Sequence, residues 1–304
     1  MRTIAHIISP VEAPATSDLV IAQPITFATM RTACLFASPL VDVRLFAVKL
    51  ADEQPDMPAG FNAVPDLTRS ARDLNPGLRL RRLPLIQDIL ERLYTACPEA
   101  EYLIYTNVDI ALQPHFYLAV NGLIDQGYDA LTINRRTISA ELNRLEQIPL
   151  MYAQVGRKHG GHDCFIFKRS AYPNFYLGDI CIGSGGIGTM LGLNLAYQAQ
   201  CFKVCDDLHL TFHIGYAGAW RSTENKDELT WNLRQVQQVT EYLRQQYPDF
   251  SHPFQKKARG IERWMEELLL VRQPTLRGYL ARLRRSWRRS RHARKARNDD
   301  DLSQ

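Results

Sequence analysis

The chain has 304 residues, 45% of them hydrophobic, enough to bury a full core and to exclude disorder over most of its length. Its formal net charge of +5 is unevenly placed: from Arg272 to Arg297 there are eleven Lys or Arg and no Asp or Glu, so the remainder is close to neutral or slightly acidic. The six cysteines are scattered without a CxxC pair, which excludes a disulfide scaffold or a zinc ribbon and fits reduced thiols in a cytosolic compartment.

"TIAHIISPV" reads as a strand, "PITFATMRTACLFA" as a helix and "VDVRLFAVKL" as a second strand. The stretch "ADEQPDMPAGFNAVPDLTRSARDLNPG" is rich in Pro, Asp and Gly and reads mostly as loop. In "LPLIQDILERLYTAC" the residues Leu85, Ile86, Ile89, Leu90 and Leu93 recur at helical spacing, with Pro84 at the start, where a missing N–H costs nothing. "EYLIYT" is apolar in succession, the pattern of a strand covered on both faces. "FYLAVNGLIDQG" is the next helix and "YDALTINRR" the next strand.

Past Arg136 the pattern loosens. "TISAELNRLEQIPLMYAQVGRKHGG" reads as helix then mobile loop, "HDCFIFKRSAY" as a strand, and "GDICIGSGGIGTMLGLNLAYQA" as a Gly-rich turn entering a helix. "QCFKVCDDLHLTFHIG" reads as one late strand, which would put His209 and His213 on one face. "DELTWNLRQVQQVTEYLRQQY" and "GIERWMEELLLV" are helices, followed by the basic tail. Strands alternating with helices predict an α/β sheet with helices on its faces. No apolar run approaches the roughly 18 residues of a membrane-spanning helix. The N-terminus "MRTIAHIISPVEAPA" is broken by Pro10 and Glu12 too early for an export signal.

Chemistry is expected beyond the carboxyl ends of the strands. Asn107 and Asp109 lie at such an end in "YLIYTNVDIAL". A carboxylate there suits Mg²⁺ or Mn²⁺, ions that also hold substrate phosphates. A plain structural reading stays open beside it, with Asp109 capping a turn and Asn107 satisfying a loop amide. "DICIGSGGIGTMLG" lacks the Lys-Ser/Thr of a nucleotide-hydrolysing loop and reads as a close-packed turn.

The segment "YLIYTNVDIAL" resembles the strand and DxD motif of nucleotide-sugar-dependent glycosyltransferases of the GT-A fold, with Asn107 at the first acidic position and Asp109 at the last. "IISPVEAP" is similar to the first strand of that fold, so Pro10, Val11 and Glu12 would line the donor site. The resemblance implies that Arg81 and Arg82 approach the donor and that Mn²⁺ or Mg²⁺ sits on the diphosphate, held by Asp109 and by His213 from the late strand, with His209 in reserve. It also implies a catalytic base, either Asp163 in "GGHDCFIFKRSAY" or Asp179 beside the Gly-rich turn.

The expected fold is a GT-A-like, mixed, mostly parallel sheet flanked by helices. Residues 1–225 would form the transferase domain, 226–271 C-terminal helices and 272–304 a basic amphipathic tail. The expected reaction moves a sugar from a nucleoside diphosphate sugar to a hydroxyl acceptor, lipid-linked or polysaccharide. The competing readings are a sugar-phosphate nucleotidyltransferase, whose Gly-rich signature after the first strand is missing here, and a non-catalytic nucleotide-sugar-binding protein. In the tail, Leu276, Tyr279, Leu280, Leu283 and Trp287 fall on one helical stripe among arginines, the profile of a peripheral contact with an anionic membrane. A solvated or disordered tail is the plain alternative, and nucleic acid is the least favoured partner.

Overall fold

A computed structural model describes residues 1–76, 80–215 and 226–248. The tail and the helix expected over "GIERWMEELLLV" lie outside the described residues.

The chain begins with β1 (Arg2–Ile8), whose last five residues are buried, and continues through α1 (Leu19–Ala37) to β2 (Val41–Ala47) and a short β3 (Asn62–Ala63). One turn of helix, α2 (Ala71–Leu74), precedes α3 (Ile86–Ala96), and then comes β4 (Tyr102–Thr106), buried along its whole length. A two-residue β5 (Ala111–Leu112), α4 (Phe116–Asp125), β6 (Ala130–Ile138), α5 (Ile148–Ala153) and the long β7 (Arg157–Lys168) follow. The described chain closes with α6 (Ile187–Gln198), β8 (Phe202–Cys205), β9 (Thr211–Ile214) and α7 (Lys226–Gln246).

These strands form one nine-stranded sheet in the order β3-β2-β1-β4-β7-β6-β9-β5, with β8 also paired to β6. β1 runs parallel to both β2 and β4, whereas β7 is antiparallel to β4 and β6. The sheet is therefore mixed and mostly parallel, as expected. Because β2 lies on one side of β1 and β4 on the other, the strand order reverses at the β1–β4 pair, the position beyond whose carboxyl ends open α/β sheets bind ligands.

Strand alternation divides the core. Ile4, Ile8, Ile104 and Ile166 join Phe27 and Met30 of α1 and Phe116 and Tyr117 of α4 in one cluster. The opposite face receives α3, whose Ile86, Ile89, Leu90 and Leu93 are all fully buried. Each such side chain contributes roughly 1.5–3 kcal/mol of transfer free energy, and this stripe makes the helix amphipathic where intrinsic propensity alone would leave it marginal.

Three sequence expectations are corrected. α1 starts five residues before Pro24 and carries that proline inside it. With 19 residues and a hydropathy of 1.4 it is, by length and composition, long and apolar enough to cross a membrane. Yet Ile25, Met30, Ala33 and Ala37 are nearly or fully buried in this fold, as a core helix requires. Secondly, the expected mobile loop "RKHGG" is the first part of β7, paired with the far end of β6. Thirdly, the late strand is two strands, β8 and β9, with residues 206–210 between them.

Candidate active site

The edge at the β1–β4 pair gathers residues from four strands. β4 ends at Thr106, and the main-chain N–H of Ile110 donates to the carbonyl of Asn107 at 3.1 Å, turning the chain tightly before β5. That turn carries Asp109. β5 pairs antiparallel with β9, Ala111 opposite Phe212, so His213 emerges beside the turn. Asp109 Oδ2 and His213 Nε2 lie 3.1 Å apart, with Asp109 partly exposed and His213 almost fully buried.

His213 is held from behind as well: its Nδ1 lies 3.1 Å from the carbonyl of Gly215. Both ring nitrogens thus face acceptor oxygens, and a neutral imidazole has only one N–H to offer. With Nδ1–H given to Gly215, Nε2 turns a lone pair toward the Asp109 carboxylate, an arrangement satisfied by a second proton or by a cation between them. Their separation also matches the ~3 Å between adjacent ligands that are each about 2.1 Å from an octahedral Mg²⁺-type ion. Among the described residues there is no group of three or more His, Cys, Asp or Glu placed to hold a metal. Asp109 and His213 supply one anionic oxygen and one ring nitrogen, a donor set that fills only two positions around such an ion.

Burial of Asp109 pushes its carboxyl pKa up, but the His213 hydrogen bond, the His213 charge and the Arg135 guanidinium together bring it below the ordinary carboxylate value. The group is an anion at neutral pH.

A second cluster adjoins the pair. Thr106 pairs with Cys164 across the β4–β7 ladder, which brings Asp163 alongside Asn107. Asn107 Nδ2 donates to Asp163 Oδ1 at 3.2 Å, and Tyr105 Oη donates to Asn107 Oδ1 at 2.9 Å. Arg135 Nη1 donates to Asp163 Oδ2 at 2.8 Å from a side chain only 6% exposed. Arg135 sits where the β6–β7 register breaks, between Asn134 opposite His162 and Arg136 opposite Lys158. The slack is taken up by His159, Gly160 and Gly161 on β7. Bulges re-aim side chains in this way, and this one turns Arg135 onto Asp163.

The structure thus brings together Asn107, Asp109, Asp163 and His213. Pro10, Val11 and Glu12 leave β1 at the same edge: Gln23 of α1 clamps Val11 through both main-chain groups, at 2.9 and 3.0 Å, and Glu12 accepts the Gln54 N–H at 3.1 Å. Arg81 is tied to the buried Glu228 of α7 at 3.0 Å and to the carbonyl of Gly183, while Arg82 pairs with Asp52. Asp179 is anchored through its main chain, its N–H to Gln235 and its carbonyl to the Trp231 indole. His209 departs from expectation: it precedes β9 with φ at 45°, and its ring meets Gln113 at 3.3 Å, so it does not share a strand face with His213. Both oxygens of Asp163 accept from protein donors.

The Gly-rich turn has its own task. Gly186 starts α6 with φ at 108°, and a Cβ on Gly188 would lie 2.8 Å from the carbonyl oxygen of His162. Glycine lets the first turn of α6 rest directly on β7, one residue from Asp163.

Arg135, Tyr105 and the bulge were not singled out from sequence. The available signal was Arg135 and Arg136 following an apolar run in "LTINRR", a charge at the functional end of a buried strand.

No family model matches the chain, and no curated protein matches it. Among solved structures it is similar to S. aureus TarS 1-349 in complex with UDP-GlcNAc, at 11% identity and a TM-score of 0.47, covering 79% of this chain and 66% of that one. It is also similar to a mutant of Drosophila beta-1,4-galactosyltransferase 7 in complex with manganese, UDP-Gal and xylobiose, at 9% identity and a TM-score of 0.40, covering 73% of this chain and 74% of that one. The chain thus spans slightly less than two thirds of the TarS fragment.

Proposed function

We propose that this protein is a cation-dependent glycosyltransferase that moves a sugar from a nucleoside diphosphate sugar to a hydroxyl acceptor. The observation that carries the reading is the Asp109–His213 pair, 3.1 Å apart at the carboxyl edge where the strand order reverses. Such an edge is where α/β sheets bind nucleotides, and a two-residue hard-cation site needs a phosphate ligand to complete it.

In this reading Asp109 and His213 would hold Mn²⁺ or Mg²⁺, which when bound neutralises charge on the departing diphosphate. Asp109 offers an anionic oxygen, and Gly215 orients the His213 ring so that Nε2 faces the site. The turn at Pro10, Val11 and Glu12, kept rigid by Gln23 and Gln54, would form the wall for the nucleotide. Asp163 keeps Arg135 and Asn107 in place beside the Asp109 turn, where their N–H groups would add to the polar lining of the donor site.

The test is calorimetric titration of UDP and GDP, with and without Mn²⁺, into the wild type and Asp109→Ala. Manganese-dependent binding of one nucleotide, lost in the variant while its circular dichroism is unchanged, is the expected result. Binding of neither nucleotide to the wild type, or equal binding by Asp109→Ala, would overturn the reading.

A further inference from the structure

We infer that the outer face of α1 is a self-association surface, on which a second copy of this chain packs its own α1 antiparallel about a two-fold axis at Ala28. The surface is separate from the candidate donor site and stands independently of the reading given to that site.

The inner face of α1 belongs to the core, and the outer face of such a helix is ordinarily polar. Here it is apolar. Between Leu19 and Ala37 there is no Asp, Glu or Lys and a single Arg, and Arg31 is turned aside to donate to the Ala59 carbonyl at 3.3 Å. Val20, Ile21, Leu35 and Phe36 are exposed, Leu35 to 74%, and Leu40 in the turn that follows is 65% exposed. Ile21, Pro24, Ala28, Thr32 and Leu35 recur at spacings of three and four, so they form one outward stripe along the helix. The five large side chains offer on the order of 500 Å² of apolar surface, at the upper end of what a monomer leaves in one patch.

The stripe is complementary to itself, being bulky at both ends and small in the middle. A two-fold axis at Ala28 sets each residue before it against the one equally far after it. Ile21 then meets Leu35, Val20 meets Phe36 and Pro24 meets Thr32, while the small Ala28 side chains let the helices approach closely. The turn Leu145–Gln147 lies beside α1, and the exposed Leu145 and Leu150 extend the apolar area. Used twice across the axis, the patch buries roughly 1,200 Å², the lower end for a specific and stable pair.

A membrane fits this face less well, because interfacial helices carry Lys and Arg around their apolar side. At the Leu40 end, Val41 pairs with Arg2, and Arg2 and Arg44 meet Glu101, Asp125, Asp42 and Glu99, two cations among four carboxylates. That excess repels an anionic lipid surface and leaves the uncharged helix of a second copy unaffected. Gln23, on the buried side of α1, clamps Val11, so the helix that meets the second copy also fixes that turn.

The test is sedimentation velocity of the full chain from about 1 to 200 µM, the range in which a pair with this little buried area dissociates. The wild type, Leu35→Glu, Ile21→Lys and an equimolar mixture of the two variants are compared. Across this range the wild type should pass from monomer to dimer. Each variant alone should weaken the dimer by about tenfold or more, because it buries two unpaired charges in the contact. Their mixture should regain the dimer to within about threefold of wild type, since antiparallel pairing sets the Leu35→Glu carboxylate opposite the Ile21→Lys ammonium. Both positions point to solvent in the monomer, and thermal melts at the lowest concentration verify that the variants fold.

A wild type that stays monomeric throughout, or a dimer indifferent to Leu35→Glu, overturns the proposal. A mixture that remains monomeric overturns the antiparallel pairing at Ala28. Flotation with phosphatidylcholine–phosphatidylglycerol vesicles is the companion assay: a monomeric wild type that floats with them, beside a Leu35→Glu variant that does not, gives the face to a membrane and overturns the second copy as its occupant.

Discussion

Replacing Arg135 with methionine keeps an unbranched stem of similar length and removes the guanidinium. In the native protein that group is 6% exposed and bonds Asp163, itself 15% exposed, at 2.8 Å. Breaking a buried pair by removing one partner costs about 3–5 kcal/mol, because the other charge is left in a poorly solvated place. Asp163 retains the Asn107 donor and some solvent, which puts the expected cost near ~3 kcal/mol. For a domain of more than 150 residues that corresponds to a melting temperature lower by about 6–12 °C. The assay is thermal unfolding of the wild type, Arg135→Met and Arg135→Met/Asp163→Asn. Since the second change removes the stranded charge, the double variant should recover more than half of the loss. A loss under about 1 kcal/mol for Arg135→Met, the value of a surface pair, or a double variant no more stable than the single, would refute the account of this site as a buried, mutually dependent cluster.

Two further predictions concern the scaffold beneath the site. His6 is fully buried between Tyr117 Oη at 2.8 Å and Thr106 Oγ1 at 3.0 Å, and burial lowers its pKa from 6.5 to about 3. The unfolded chain therefore binds a proton between those values that the folded chain does not, and stability falls as pH is lowered through that window by up to about 1.4 kcal/mol per pH unit. His6→Gln, followed by urea unfolding from pH 7 to pH 4, should flatten this acid limb by one proton's worth of slope; an unchanged limb would show that the native ring titrates normally. At the Gly-rich turn, Gly188→Ala should cost about 1–3 kcal/mol, because its Cβ would meet the His162 backbone. Gly160→Ala, where a Cβ meets nothing within 4 Å, should stay within about 0.5 kcal/mol. Equal melting temperatures for these two variants would remove close packing as the reason for glycine at position 188.

Much of this architecture was legible because burial writes a period into the chain. The four apolar residues of β4 announced a strand covered on both sides, and the spacing of Ile86, Ile89, Leu90 and Leu93 announced the buried stripe of α3. Asp109 stood out as a carboxylate at a strand end, and His213 through the resemblance to GT-A glycosyltransferases, which implies a histidine from a late strand. Sequence reading was weaker where two periods overlap: the uniformly apolar start of α1 concealed its first turn and its fitness as a long apolar helix, and "RKHGG" concealed a strand because glycines weaken the alternation of β7.

What the sequence determined by itself was local: which segments are strands or helices, which faces are apolar, and which residue types are able to bind a cation. The tertiary structure decided the pairings. Asn107 lies 56 positions from Asp163, and His213 lies 104 from Asp109, so no local pattern reports their meeting. Only the β4–β7 and β5–β9 ladders set those registers, and only the bulge opposite Arg135 turns its charge onto Asp163. The physical reason is that a strand's period of two says which face a side chain takes, while the hydrogen-bond register between distant strands says which side chains it meets.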